Sequence, residues 1–153
     1  MAANVLLAIL ALLLLWAAAT DLKSRIIANW LNLAIALMAP LYWWASGLAL
    51  WPDIVVQAGL GLAVFALFTG MFALGWMGGG DVKLLGALAL WLPLALLMNL
   101  LLLMSLIGGA LTLVVVAVHR LRNLKTNPEI PYGVAIACAG LWVISQLYLN
   151  QFA

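Results

Sequence analysis

Four acidic side chains are spread over 153 residues, and their positions decide what chemistry the chain can attempt. Asp21 and Asp81 each stand at the end of a long uncharged stretch, whereas Asp53 follows Pro52 and Glu129 lies in a polar segment. Asp53 reads as a loop or helix-cap residue, and Glu129 as a solvated acid or a partner of Lys125. Acids at or within membrane helices are costly and are usually functional or paired. Two readings are therefore open for Asp21 and Asp81. They are either one working pair of carboxylates, or separate ion pairs of Asp21 with Lys23 or Arg25 and of Asp81 with Lys83. A pair of carboxylates can hydrolyse an amide with water alone. One, ionised, takes a proton from the attacking water; the other, protonated, donates to the carbonyl oxygen. Neighbouring acids cannot both ionise cheaply, so they share a proton and titrate as a pair.

The glycines sharpen the choice. Gly78-Gly79-Gly80 runs directly into Asp81. Glycine permits positive φ and close backbone approach, so this run is expected to bend the chain at the membrane edge and leave backbone open to an extended peptide. Other reactive residues contribute little. Cys138 is the single cysteine, which allows neither an internal disulfide nor a CxxC pair, and it reads as a small buried apolar residue. His119, beside Arg120, reads as a boundary residue. No metal site and no cofactor is expected. A net charge of +2 from scattered basic residues makes no patch for nucleic acid.

The elements that must carry these acids are membrane helices. Hydrophobic residues make up 69% of the chain and charged residues 7%, against about 25% charged in ordinary soluble domains. Residues 1–20, 30–52, 54–80 and 130–153 each meet the requirement of roughly 20 apolar residues for a span. The uncharged stretch 84–118 would be ~50 Å long as one helix, against a hydrocarbon core of ~30 Å. It divides into two, with a turn near Leu92-Pro93. The fold expected is all-α: a polytopic bundle of six transmembrane helices at about 3–20, 30–50, 54–75, 80–92, 94–118 and 131–150, the fourth short. All of 1–153 reads as a single membrane-embedded domain without an internal repeat. The first helix resembles a signal peptide at Ala17-Ala18-Ala19, but its charges, Lys23 and Arg25, follow the apolar run instead of preceding it. It is expected to be retained.

Charge tests this threading. Lys23, Arg25, Lys83, Arg120, Arg122 and Lys125 all fall at odd-numbered connections, which share one side of a six-helix chain. The positive-inside rule makes that side cytoplasmic and puts both termini outside. Trp30 and Trp76 are expected at the inner boundary, and Trp43, Trp44, Trp51 and Trp91 at the outer one, with Trp16 and Trp142 facing other helices. Gly59, Gly61, Gly108 and Gly109 are candidates for close helix contacts. With Asp21 and Asp81 sixty residues apart, the first and fourth helices are expected to pack together.

Gly78-Gly79-Gly80-Asp81 matches the GxGD signature of intramembrane aspartyl proteases, and its continuation Val82-Lys83-Leu84 resembles the prepilin peptidase version. Asp21-Leu22-Lys23-Ser24-Arg25-Ile26-Ile27-Ala28-Asn29 is similar to that family's first-aspartate motif, with Ala28 where proline is usual. Pro131-Tyr132-Gly133-Val134-Ala135 resembles its motif at the start of the last helix. The chain thus resembles the type IV prepilin peptidase family, in the short form found with tight-adherence pilus systems. The resemblance implies an endopeptidase in the bacterial inner membrane that cuts the basic leader from type IV or Flp-type prepilins, just before their apolar N-terminal helix. Asp21 and Asp81 would be catalytic, supported by Gly78, Gly80, Lys83, Lys23, Arg25 and Asn29. Pro131, Tyr132 and Gly133 would shape a substrate groove. For Lys23, Arg25 and Lys83, binding lipid phosphates is the first role, tuning the pair the second. Longer relatives add a cysteine-bearing cytoplasmic domain and N-methylate the product. This chain lacks those cysteines, which implies no methyltransferase domain and no S-adenosylmethionine site. The competing class is a membrane carrier or pilus-assembly scaffold with the aspartates as ion-binding or structural groups. A carrier should place polar groups near mid-membrane, where Asn99, Ser105 and Thr112 are the candidates.

Overall fold

The structure of the chain, a computed structural model, describes residues 1–122 and 130–150. Lys125 and Glu129, and the expected pairing between them, lie outside the described residues. Among those described there are six helices and no strand: α1 (Ala2–Ser24), α2 (Asn29–Ala45), α3 (Val55–Ala73), α4 (Gly79–Ala89), α5 (Leu94–Leu121) and α6 (Tyr132–Asn150). The segments Ala2–Ser24, Leu50–Ala73, Leu94–Leu121 and Tyr132–Leu149 are long and apolar enough to cross a membrane. Their outward faces are apolar too: Leu102, Leu106 and Leu113 of α5 are all exposed. Such a surface suits lipid as its solvent. The chain is an all-α, polytopic membrane protein.

Two boundaries differ from the sequence expectation. α1 continues to Ser24, so Asp21 lies in its last helical turn, and Arg25 closes the helix in the left-handed conformation at φ 56°. α2 stops at Ala45, because Gly47 at φ 73° turns the chain early. A distorted turn, Leu50–Ile54, then leads into α3.

The short fourth helix explains the architecture. With 11 residues α4 is only ~16 Å long, about half the hydrocarbon thickness. Its exposed end groups would be unsatisfied in lipid, where irregular backbone survives only inside protein. α4 is accordingly enclosed. Val82 and residues 84–89 are buried, and the helix packs on α2, α3 and α6. Its last carbonyls, which have no partner within the helix, are met by side chains from outside. Gln57 of α3 donates its amide to Ala89 O at 2.8 Å and Leu92 O at 2.5 Å. Trp43 of α2 donates its indole N–H to Leu90 O at 2.7 Å. Trp91 in turn donates to Ile35 O at 2.9 Å and stacks on Tyr42, with centroids 5.1 Å apart.

Several side chains therefore serve differently from their sequence reading. Trp43 and Trp91 are buried anchors of α4, not belt residues, whereas Trp44 and Trp51 are exposed at that end. Trp16 and Trp142 face outward instead of toward other helices. Cys138 is exposed on α6. Of the four candidate contact glycines, Gly61 lies against Leu90 and Gly108 against Tyr132, but nothing approaches Gly59 or Gly109. The hydroxyls of Ser105 and Thr112 bond back to carbonyls of their own helix, and Asn99 is exposed. These groups build no mid-membrane polar site. α1 does not pack along α4 as expected; α2 and α6 each touch both helices and bridge them.

Candidate active site

Three connections meet at one end of the bundle and enclose a cleft of about 690 Å³. Asp21 comes from the last turn of α1, Arg25 and Ile27 from the α1–α2 connection, residues 75–78 from the α3–α4 connection, residues 79–81 from the first turn of α4, and Ile130 and Tyr132 from the entry to α6. A cavity at the opposite end is lined by Asp53, Pro93 and Leu147. The threading is therefore up and down, and Lys23, Arg25, Lys83, Arg120 and Arg122 stand on elements that end or begin at the aspartate end. Asp53 belongs to the other, where it accepts the Ala49 N–H at 3.1 Å and caps the turn before α3.

Asp81 is held by its own helix. Gly78 is the N-cap of α4 in extended conformation, φ −72° and ψ 143°. Asp81 stands three residues on, where an acid can reach back to the first amides, and its carboxylate accepts the Gly78 N–H. The glycines serve closeness more than bending. None of Gly78, Gly79 or Gly80 takes positive φ; that role falls to Gly75, at φ 75°. A methyl on Gly78 would stand 3.0 Å from Asp81 Oδ2, and one on Gly80 3.2 Å from Ile27 Cβ. The second contact keeps α4 against the turn that follows Asp21.

Asp21 is held by another helix. Only 5% of its surface is exposed, and its Oδ2 accepts the Val134 N–H at 3.1 Å, with the Gly133 N–H also directed to it. These are first-turn amides of α6, which have no carbonyl partner within the helix and suit an anion. Gly133 is required for the approach: a Cβ there would meet Asp21 Oδ2 at 2.8 Å. Pro131 is buried just ahead of this turn, and Tyr132 lines the cleft. Each carboxylate thus sits on the N-terminus of a helix, and the two are near enough for the charge of one to act on the other.

The remaining candidates divide. Arg25 lines the cleft and acts electrostatically on Asp21. Lys23 is exposed in the last turn of α1 and does not line it. Lys83 does not bond Asp81; it points to the other side of α4 and donates to Asn29 Oδ1 at 2.7 Å. Ala28 holds a backbone conformation that a proline could also take, at φ −63° and ψ 138°, and its carbonyl accepts the Leu31 and Asn32 amides that start α2. Asn32 was not singled out from sequence. It is buried, and its amide donates to Gly80 O at 3.2 Å, fixing the glycine loop one residue before Asp81. Its signal was a polar side chain three residues past Asn29 in an apolar run. Among the described residues no three of His, Cys, Asp or Glu gather as metal ligands.

Comparison with known proteins gives a consistent result. The family model described as the type IV leader peptidase family matches residues 8–113. A prepilin leader peptidase/N-methyltransferase of Aeromonas hydrophila is 33% identical over 159 residues, covering 93% of this chain and 53% of that protein. The chain spans about half the length of this curated relative. No solved structure matches it.

Proposed function

This chain belongs to the type IV leader peptidase family, and from that premise we propose that it is an intramembrane aspartyl endopeptidase that removes the leader from type IV or Flp-type prepilins, with Asp21 and Asp81 as its catalytic pair. The observation that carries the reading is the convergence of two carboxylates from distant parts of the chain in one cleft, each oriented by the first amides of a helix. The Asp pair shares one proton. Its ionised member takes a proton from water as the water oxygen attacks the scissile carbonyl carbon, and its protonated member donates to the carbonyl oxygen. In the collapse of the tetrahedral intermediate the C–N bond breaks and the leaving amine takes a proton back from the pair. Tyr132 and the 75–80 loop border the space where an extended peptide would lie, and the unbent glycines beside Asp81 let its backbone come close.

The basic residues at the aspartate end favour a cytoplasmic cleft by the positive-inside rule, with the N-terminus outside. A leader held in the cytoplasm, ahead of an apolar helix in the bilayer, would then present its junction at the depth of the two acids. Of the two activities in the relative's name, leader cleavage is the one proposed. The test is direct. Purified protein in liposomes is mixed with a candidate prepilin, and the product is sized and its new N-terminus sequenced. Cleavage between the basic leader and the apolar helix is expected. Failure with every leader-bearing prepilin of the same genome would overturn the proposal.

A further inference from the structure

A third cavity, about 540 Å³ in volume, opens on the other face of α4 from Asp81. It lies between α2 and α3, with Lys83, Gly86 and Leu90 of α4 as its floor. Its flanks, Leu33, Leu62 and Phe65, are exposed, so the groove opens where the surrounding lipid would be. From Asn29 to Ala36 it runs about 10 Å along α2. Its polar groups, Asn29, Asn32 and Lys83, are gathered at one end, the end of the bundle that also carries the arginines of α1 and α5.

Two details make this end unlike a solvated rim. The Lys83 ammonium is pinned by its 2.7 Å bond to Asn29 Oδ1, and its other N–H groups remain available to an anion. Asn32 uses its Nδ2 on Gly80, and its Oδ1 is buried with no hydrogen-bond partner. A buried acceptor without a donor is costly and uncommon in native proteins.

We propose that this groove is a binding site for an anionic phospholipid, with an acyl chain along α2, α3 and α4, the phosphate on Lys83 and a headgroup hydroxyl toward Asn32 Oδ1. The match is of shape and of charge. An apolar trough with a cation at one end complements an amphiphile with one anionic head. The basic leader proposed above would meet like charge at Lys83. The bound headgroup would stand one hydrogen bond, that of Asn32 to Gly80 O, from the helix turn that carries Asp81. Lipid composition would thereby act on the peptidase site, although the binding site itself depends only on the groove.

Lipid retention tests the proposal without reference to cleavage. The full chain is reconstituted in vesicles of equal phosphatidylcholine and phosphatidylglycerol, extracted gently and weighed by native mass spectrometry. The wild type should retain one phosphatidylglycerol with a preference of about fivefold, the scale set by one lysine at an anionic headgroup. Lys83→Gln should abolish the preference. Ala58→Phe, which fills the groove, should reduce retention of both lipids, with Ala36→Phe as a second filling variant if the first unfolds. Arg122→Gln, a basic residue outside the groove, should change nothing. A wild type without preference, or a preference that survives Lys83→Gln, overturns the site. So does displacement of the lipid by a prepilin whose apolar helix cross-links to Leu62, which would give the groove to substrate.

Discussion

The two ends of α4 use the same kind of unsatisfied backbone in opposite ways. At the C-terminal end, the orphan carbonyls of Ala89, Leu90 and Leu92 are each taken by a dedicated side chain, Gln57 or Trp43. The helix is pinned there, with Trp91 locked onto α2. At the N-terminal end the amides face a cleft, and the group that meets them is the Asp81 carboxylate itself. One end is closed by polar contacts and fully buried. The other is left to glycines and two acids. A helix of 11 residues can hold an acid at a fixed place in the cleft because its far end cannot slide. Rigidity and the proposed chemistry are thus divided between the termini of one short element.

The strongest way to break this contrast is at the cleft. Asp21→Asn and Asp81→Asn should each reduce prepilin cleavage by ~10³-fold or more, given the usual worth of positioned acid–base groups and their action as one unit. The double variant should be little worse than either single one. Asparagine preserves shape and still accepts from the amides at Val134 or Gly78, so protein level and Tm should stay near wild type. Asp53→Asn, at the opposite end, should cleave normally. Near-normal cleavage by a well-folded Asp21 or Asp81 variant would remove that residue from the mechanism.

A second variant alters position without altering charge. Gly133→Ala places a Cβ 2.8 Å from Asp21 Oδ2, so the carboxylate or the start of α6 must shift. A displacement of under an ångström at a catalytic group costs up to ~10²-fold, and kcat should carry the loss. Gly59→Ala, where nothing lies within 4 Å, is the control and should be silent. Equal activity of both variants would mean that the α6 amides do not position Asp21.

The pinned end should respond in stability instead. Gln57→Leu leaves two buried carbonyls without their donor, at a cost of about 1–3 kcal/mol. Tm in detergent should fall, and cleavage per folded molecule should change much less than in the aspartate variants. A loss of cleavage at full stability would contradict the division of labour between the ends.

The aspartates were legible in the sequence because a charge in an apolar chain has few explanations, and the one-sided basic residues supplied the threading without coordinates. What could not be read was how backbone groups are satisfied. Nothing in Pro131-Tyr132-Gly133 announces that the α6 amides bind Asp21, since that contact joins residues 113 positions apart. Gln57 and Asn32 were overlooked because a single amide in an apolar run has no periodicity. Trp43 and Trp91 were misread for the related reason that a tryptophan near a helix end serves equally as a belt residue or as a buried donor. The alternative that paired Lys83 with Asp81 rested on proximity in sequence, whereas a helix turns the side chains at 81 and 83 to different faces, and Lys83 donates to Asn29 instead.

The smallest predicted effect concerns the turn between α1 and α2. Ala28 already holds φ −63°, the value a proline ring imposes, and it stands at the N-cap of α2 with Asn29 as the first helical residue. Its carbonyl starts the helix by accepting the Leu31 and Asn32 amides, a role proline keeps. Ile27, the preceding residue, lies outside both helices, where the restriction that proline places on its predecessor is easily met. Ala28→Pro should therefore stabilise the chain by about 0.4–1 kcal/mol through the unfolded state, a Tm rise of about 1–4 °C. Because Ile27 packs on Gly80 and Gly133, the same change should hold the floor of the cleft more firmly and leave Asp21 where it is. Cleavage at ordinary temperature should be unchanged, and its loss on heating should begin later. A lower Tm would show that the turn needs the Ala28 N–H or a freer Ile27. A higher Tm with lost cleavage would show that the turn must move during the reaction.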